Sequence, residues 1–154
     1  MTRNHHFTAK QGGVVLIEAL LGILIFSIGI LALIGMQSVA VKNTTDARYR
    51  TEAAYLANSI LSQIRLDMAN IVFYDDTNTG VYVPRSTWRS QVEALLPGVN
   101  IATAVRVPEI DIVPGPTYAG DTDPSSRVTV KIYWRQPGED MDHKFEIVGF
   151  VSRQ

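Results

Sequence analysis

The sequence predicts an α+β fold in which a long N-terminal helix packs on a small antiparallel β-sheet. The first half of that helix is of membrane type and the second is amphipathic. Three observations carry the prediction. All seven prolines fall between Pro84 and Pro137, so nothing interrupts a helix from Val14 to Val83. An unbroken apolar run from Gly13 to Met36 gives way to an amphipathic pattern. Towards the C-terminus, apolar and polar residues alternate as they do along a half-buried strand.

Residues 1–13 read as a short basic leader carrying Arg3 and Lys10. The run that follows, ~23 residues, is long enough to cross a bilayer as a helix. Its one charge is Glu18. A carboxylate in such a segment costs roughly 2.5–3.5 kcal/mol on insertion scales, so it points to function and implies a positive partner. Further on, Ala47, Ala53, Ala54, Ala57, Ile60, Leu61, Ile64 and Met68 recur at helical spacing. Arg50, Glu52, Asn58, Gln63, Arg65 and Asp67 lie between them, which gives one apolar stripe for a globular domain. Residues 15–70 would then form a rod of ~80 Å.

Asp75 to Gly80 is a loop by composition. Ser86 to Leu96 reads as a short helix with Ser86 as N-cap, Trp88, Val92, Leu95 and Leu96 as its apolar face, and Pro97-Gly98 as its stop. Val99 to Val107 alternates as a strand, and Pro108 to Ser126, rich in Pro, Gly and Asp, reads as a long surface loop. Arg127 to Arg135 is the clearest strand, with Val128, Val130, Ile132 and Trp134 on one face. Gln136-Pro137-Gly138 turns the chain into a returning strand, Phe145 to Ser152. Trp88 and Trp134 are expected in the core.

A formal net charge of −1 gives no footprint for nucleic-acid binding. Loss of residues 1–13 would remove two positive charges and no acid, moving the balance to −3. The absence of cysteine rules out a disulfide framework, thiol catalysis and Cys-ligated zinc. A secretory signal peptide places its cleavage site after the apolar stretch. Here the small residues Gly12-Gly13 come before it, so the apolar helix would survive processing. Lys42, Arg48 and Arg50 balance Arg3 and Lys10, so charge alone does not orient the segment.

Glycine, four apolar residues, glutamate and a long apolar run, as in Gly13-Val14-Val15-Leu16-Ile17-Glu18, resemble the processing site and N-terminal helix of type IV pilin-like proteins. The resemblance implies that a prepilin peptidase cuts between Gly13 and Val14, and that Val14 is then N-methylated. Glu18 becomes the fifth residue, whose carboxylate pairs with an α-amine during fibre assembly. Cutting after Gly12 would make Glu18 sixth, so the glutamate sets the register. Two departures stand out. Val14-Val15 replace the family's usual phenylalanine and threonine, and Gly35 occupies the position where major pilins often carry proline. Ser27 to Leu31, Gln37-Ser38, Tyr49 to Ala53, Leu56 through Arg65, the Trp88 helix ending in Leu96-Pro97-Gly98, and Val128 to Trp134 look more narrowly like PilV-type minor pilins.

That likeness implies a leader (1–13), a transmembrane and fibre-core helix (14–41) and a periplasmic domain (42–154). The protein would sit in a bacterial inner membrane, with its leader cytoplasmic, before entering a pilus near the tip. Implied partners are other minor pilins, the major pilin, the prepilin peptidase and the inner-membrane assembly platform, with no direct nucleic acid and no cofactor. Two other readings are a pseudopilin of a type II secretion system and a membrane-anchored periplasmic binding module. Asp121, Asp123, Glu139, Asp140 and Asp142 invite a calcium reading, but Asp121 to Ser126 lacks the glycine and terminal glutamate of an EF-hand, and a solvated loop is expected. His143 is the sole histidine outside the leader and has no triad, phosphate-loop or metal-ligand spacing around it, so no catalytic residue is expected.

Overall fold

The computed structural model describes residues 12–115 and 125–152. The chain divides into two compact units, Met1–Thr44 and Thr45–Gln154. Helix α1 runs from Gly12 to Leu66, within the span that the absence of proline leaves free to form one, and belongs to both. In the first unit its apolar side chains are exposed throughout. In the second unit the amphipathic part of α1 packs on a three-stranded antiparallel sheet, giving the expected α+β layout.

The stripe predicted for α1 is the face that packs. Ala53, Ala57, Ile60, Leu61 and Ile64 are buried, joined by Leu56, while Ala47 is exposed and Met68 only half-buried. After Leu66 the chain tightens into a 3-10 segment, Met68–Phe73, which shortens the expected helix by several residues. Helix α2 spans Val83–Leu95 and lays Trp88 and Val92 into the core. Trp88 Nε1 donates to the carbonyl of Leu56 at 3.0 Å, so α2 is tied to α1 by a buried hydrogen bond.

Ser86 is not the N-cap. Tyr82 holds that position, and Pro84 sits in the first turn, where its fixed φ and missing N–H suit a helix start. The Ser86 hydroxyl instead donates back to the Val83 carbonyl at 2.9 Å. Leu96 closes the helix, and Gly98, at φ 76°, adopts the left-handed conformation that turns the chain away.

Two further expectations are corrected. Val99–Val107 is not a strand. Asn100 and Val105 form a single bridge, closed by paired amide–carbonyl bonds of 2.9 and 2.8 Å, and Ala104 and Arg106 have positive φ (55° and 51°). The first strand, β1, is Glu109–Pro114, inside the segment that composition assigns to a surface loop. It pairs antiparallel with β2 (Ser126–Trp134), Ile110 lying opposite Val130. Strand β2 pairs in turn with β3 (His143–Val151), and the sheet order is β1-β2-β3. Val128, Val130, Ile132 and Trp134 are all buried, as the alternation of β2 predicts. Gly149 of β3 lies so close to α1 that a Cβ there would come within 2.6 Å of Leu61 Cδ2. The remainder of the expected loop, residues 116–124, lies outside the described residues, as do Asp121 and Asp123 of the calcium reading.

Candidate functional site

Gly13, Val14 and Glu18 all lie on the first turns of α1. A Cβ on Gly13 would meet nothing within 4 Å, so this chain's own packing gives no reason for a glycine there. The same is true of Gly22, Gly29 and Gly35. Each glycine costs a helix roughly 1 kcal/mol relative to alanine. Several of them in an exposed stretch of helix are a cost without an intramolecular return among the described residues.

Val14 is 69% exposed, and every large apolar side chain from there to Val41 is exposed as well. None of the membrane-length window is buried, which separates this helix from the core helix of a soluble protein and is consistent with a membrane anchor. Glu18 stands in this surface. Among the described residues it makes no hydrogen bond or ion pair. Helical geometry puts Glu18, Gly22, Gly29, Met36 and Ala40 within an arc of ~40°. Ala32, Gly35, Met36, Val39, Ala40 and Asn43 line a shallow groove of about 490 Å³ nearby. Small residues in such a strip let another helix backbone approach closely.

Glu18 lies one turn beyond Val14, an axial separation of ~6 Å. As the chain stands, α1 begins at Gly12 and has no acid in its first turn. A cut after Gly13 would bring Glu18 to the edge of the new first turn. There the helix dipole favours a negative charge, and the new α-amine lies at a similar depth. Gly12 and Gly13 also make the first turn of α1 cheap to unwind.

The second unit contains polar anchors that the sequence did not reveal. Asp46, on α1, accepts from Arg50 Nε at 2.8 Å and from Gln136 Nε2 at 2.9 Å, and its carboxylate lies 3.7 Å from His143 Nδ1. His143 stacks on Trp134 with ring centroids 5.4 Å apart, and its Nε2 lies 2.7 Å from Glu139 Oε2. His143 is therefore a brace between α1 and the β2–β3 turn. Asp142 accepts from Arg106 (2.6 Å) and Arg135 (2.7 Å), whose guanidinium groups hold its carboxyl below the usual range. Glu139 and Asp142, candidates for calcium, are thus engaged by other side chains. No group of three or more potential metal ligands occurs among the described residues.

Asp67 closes the C-terminus of α1, where a negative charge opposes the helix dipole. It accepts from the Tyr82 hydroxyl, from Asn70 at 2.8 Å and from Tyr74 at 3.2 Å, and these bonds, Tyr82's foremost, lower its pKa. The buried Arg85 donates to the carbonyls of Asp75, Asn78 and Gly80, wrapping the 75–80 loop around one guanidinium. Comparison with protein-family models, with curated proteins and with solved structures finds no match to this chain.

Proposed function

We propose that this chain is a minor pilin of a type IV pilus, of the PilV type, that helps to initiate pilus assembly. Prepilin peptidase cuts it between Gly13 and Val14, Val14 becomes the methylated N-terminus, and Glu18 guides the subunit into the fibre. The observation that carries this reading is Glu18. It is a lone carboxylate on an exposed apolar helix, without a partner among the described residues, at the fifth position after a glycine that its own chain does not need.

The chemistry follows from the spacing. An α-amine titrates near 7.7–8.0, so a freshly exposed one is largely protonated at neutral pH. In a low-dielectric membrane a carboxylate and an ammonium at the same depth offset each other's desolvation only if they meet. Val14 of the same chain, or of a neighbouring subunit already in the fibre, offers that ammonium. The small residues on the face of Glu18 admit the neighbour's helix closely enough for the pair to form. The chain would first reside in the inner membrane with residues 42–154 in the periplasm. Its partners there are the major pilin, other minor pilins and the assembly platform.

Mass spectrometry of the mature protein tests the reading. The expected N-terminus is N-methyl-valine at Val14. A protein that keeps Met1, or is cut elsewhere, would overturn it. Replacing Gly13 with a bulky residue should leave the leader attached.

A further inference from the structure

The sheet has two edges, and the chain treats them differently. At the β1 edge the amides of Ile110 and Ile112 donate to the carboxylates of Asp76 (2.8 Å) and Asp75 (2.7 Å), and the Ile110 carbonyl accepts from the Asp76 amide at 3.0 Å. Arg89 anchors Asp76 in turn, at 2.5 Å. That edge is closed by the chain's own loop. At the opposite edge β3 runs for nine residues with β2 as its one neighbour. Among the described residues nothing bonds to its outward main-chain groups. An open edge of that length is a template for another strand, and main-chain hydrogen bonds would hold the strand added there.

The side chains of β3 select the occupant. Lys144 and Glu146 project from the same solvent-facing side, with Nζ and Oε2 2.8 Å apart. Suppose a second copy pairs antiparallel, with Phe145 opposite Phe145. Each Lys144 then faces the other chain's Glu146, and the four charges alternate in sign around a square. Slipping the strands by two residues sets Lys144 against Lys144 or Glu146 against Glu146, like charges directly opposed. Slipping by one residue turns the core face of one sheet to the solvent face of the other. Only the register centred on Phe145 sets each Lys144 against a Glu146 while keeping core face with core face, and the sequence of this strand complements itself in it.

We infer that β3 is a self-pairing edge, through which two copies of this chain join antiparallel over His143–Ile147 and fuse their three-stranded sheets. The inference stands apart from the pilin reading, because it uses nothing from the N-terminal segment.

The chain has no cysteine, so one introduced thiol reports cleanly on proximity. In detergent-solubilised full-length protein, Phe145→Cys sets two thiols across the pair at a Cβ separation of about 5 Å. Val148→Cys is more exposed, yet the register holds it ~20 Å from its counterpart. Mild oxidation should give several-fold more disulfide dimer from the first than from the second. The charges supply a separate arm in cysteine-free protein, read by sedimentation. Lys144→Glu alone and Glu146→Lys alone should each lower the dimer fraction several-fold, and mixing the two variants should restore it, because an acidic edge then meets a basic one. A role confined to the Lys144–Glu146 pair within one strand could not be rescued by mixing. Equal cross-linking at residues 145 and 148, or a mixture no more dimeric than its components, would overturn the inference.

Discussion

From Val14 to Val41 the large apolar side chains of α1 are all exposed, whereas from Ala53 to Ile64 the same helix gives Ala53, Leu56, Ala57, Ile60, Leu61 and Ile64 to a core. The two stretches share a secondary structure and differ in what they contact. In the second, apolar residues keep helical spacing because one face meets the sheet and the other meets water. In the first they surround the helix, as expected when lipid or other helices lie on every side. Glycine marks the same contrast. Gly22, Gly29 and Gly35 face open space, whereas Gly149 is pressed against Leu61 by the fold itself. One stretch is complete within the chain. The other is complete only in the company of something else.

Substitutions should separate the two stretches cleanly. The largest effect is expected from Trp88→Ala, which empties a buried indole site and orphans its bond to Leu56, at a cost of about 3–5 kcal/mol in denaturant unfolding of the C-terminal domain. Ile60→Ala should cost about 2–5 kcal/mol by the same measurement. Ile25→Ala, equally aliphatic but 68% exposed, should leave that unfolding transition where it was. A comparable loss at both positions would break the comparison.

Smaller effects sharpen it. Ala104 has a φ of 55°, where an L-residue pays for its Cβ, so Ala104→Gly should stabilise the domain by about 1 kcal/mol, seen as a raised midpoint. Acid offers another test within the folded domain. Bonds from Tyr82, Asn70 and Tyr74 lower the Asp67 pKa. Its contribution is therefore complete above the unfolded carboxylate's value, ~3.9, and is lost as pH falls through the lower folded value. Thermal melts taken from pH 5 downwards should show a shallower decline for Asp67→Asn than for the native chain. An identical slope would mean that the Tyr82 bond contributes nothing.

Much of this was legible in the sequence, and the failures have a common cause. The stripe on α1 and the alternation of β2 are local patterns produced by one-sided burial, and the fold uses both as written. Strand β1 escaped because its neighbourhood is rich in Pro, Gly and Asp, although Glu109-Ile110-Asp111-Ile112 does alternate. What makes it a strand is distant: β2 on one side, and Asp75 and Asp76 accepting its amides on the other. Val99–Val107 misled in the opposite sense. It alternates, yet Ala104 and Arg106 adopt left-handed backbone, and Arg106 is held by the Gly98 carbonyl and Asp142. The helix start at Val83 was signalled by Pro84, a cue that outranks the serine two residues on. At the N-terminus, Gly13, Val14 and Glu18 stand out by their spacing along the chain, which is a local feature of the sequence. Asp46 meets Gln136 and His143 from far along the chain, and Asp67 and Arg85 gather partners 3 to 15 residues away across irregular segments, so none left a periodic trace.

The central claim is that Glu18 serves a partner outside its own chain. Glu18→Ala, expressed in cells that assemble the fibre, tests it most directly when purified fibres are assayed for the subunit and the membrane-held fraction is assayed for processing and domain melting. The variant is expected to be cut after Gly13 and to melt at the native temperature, yet to be largely missing from the fibres. Incorporation at the native level would contradict the account.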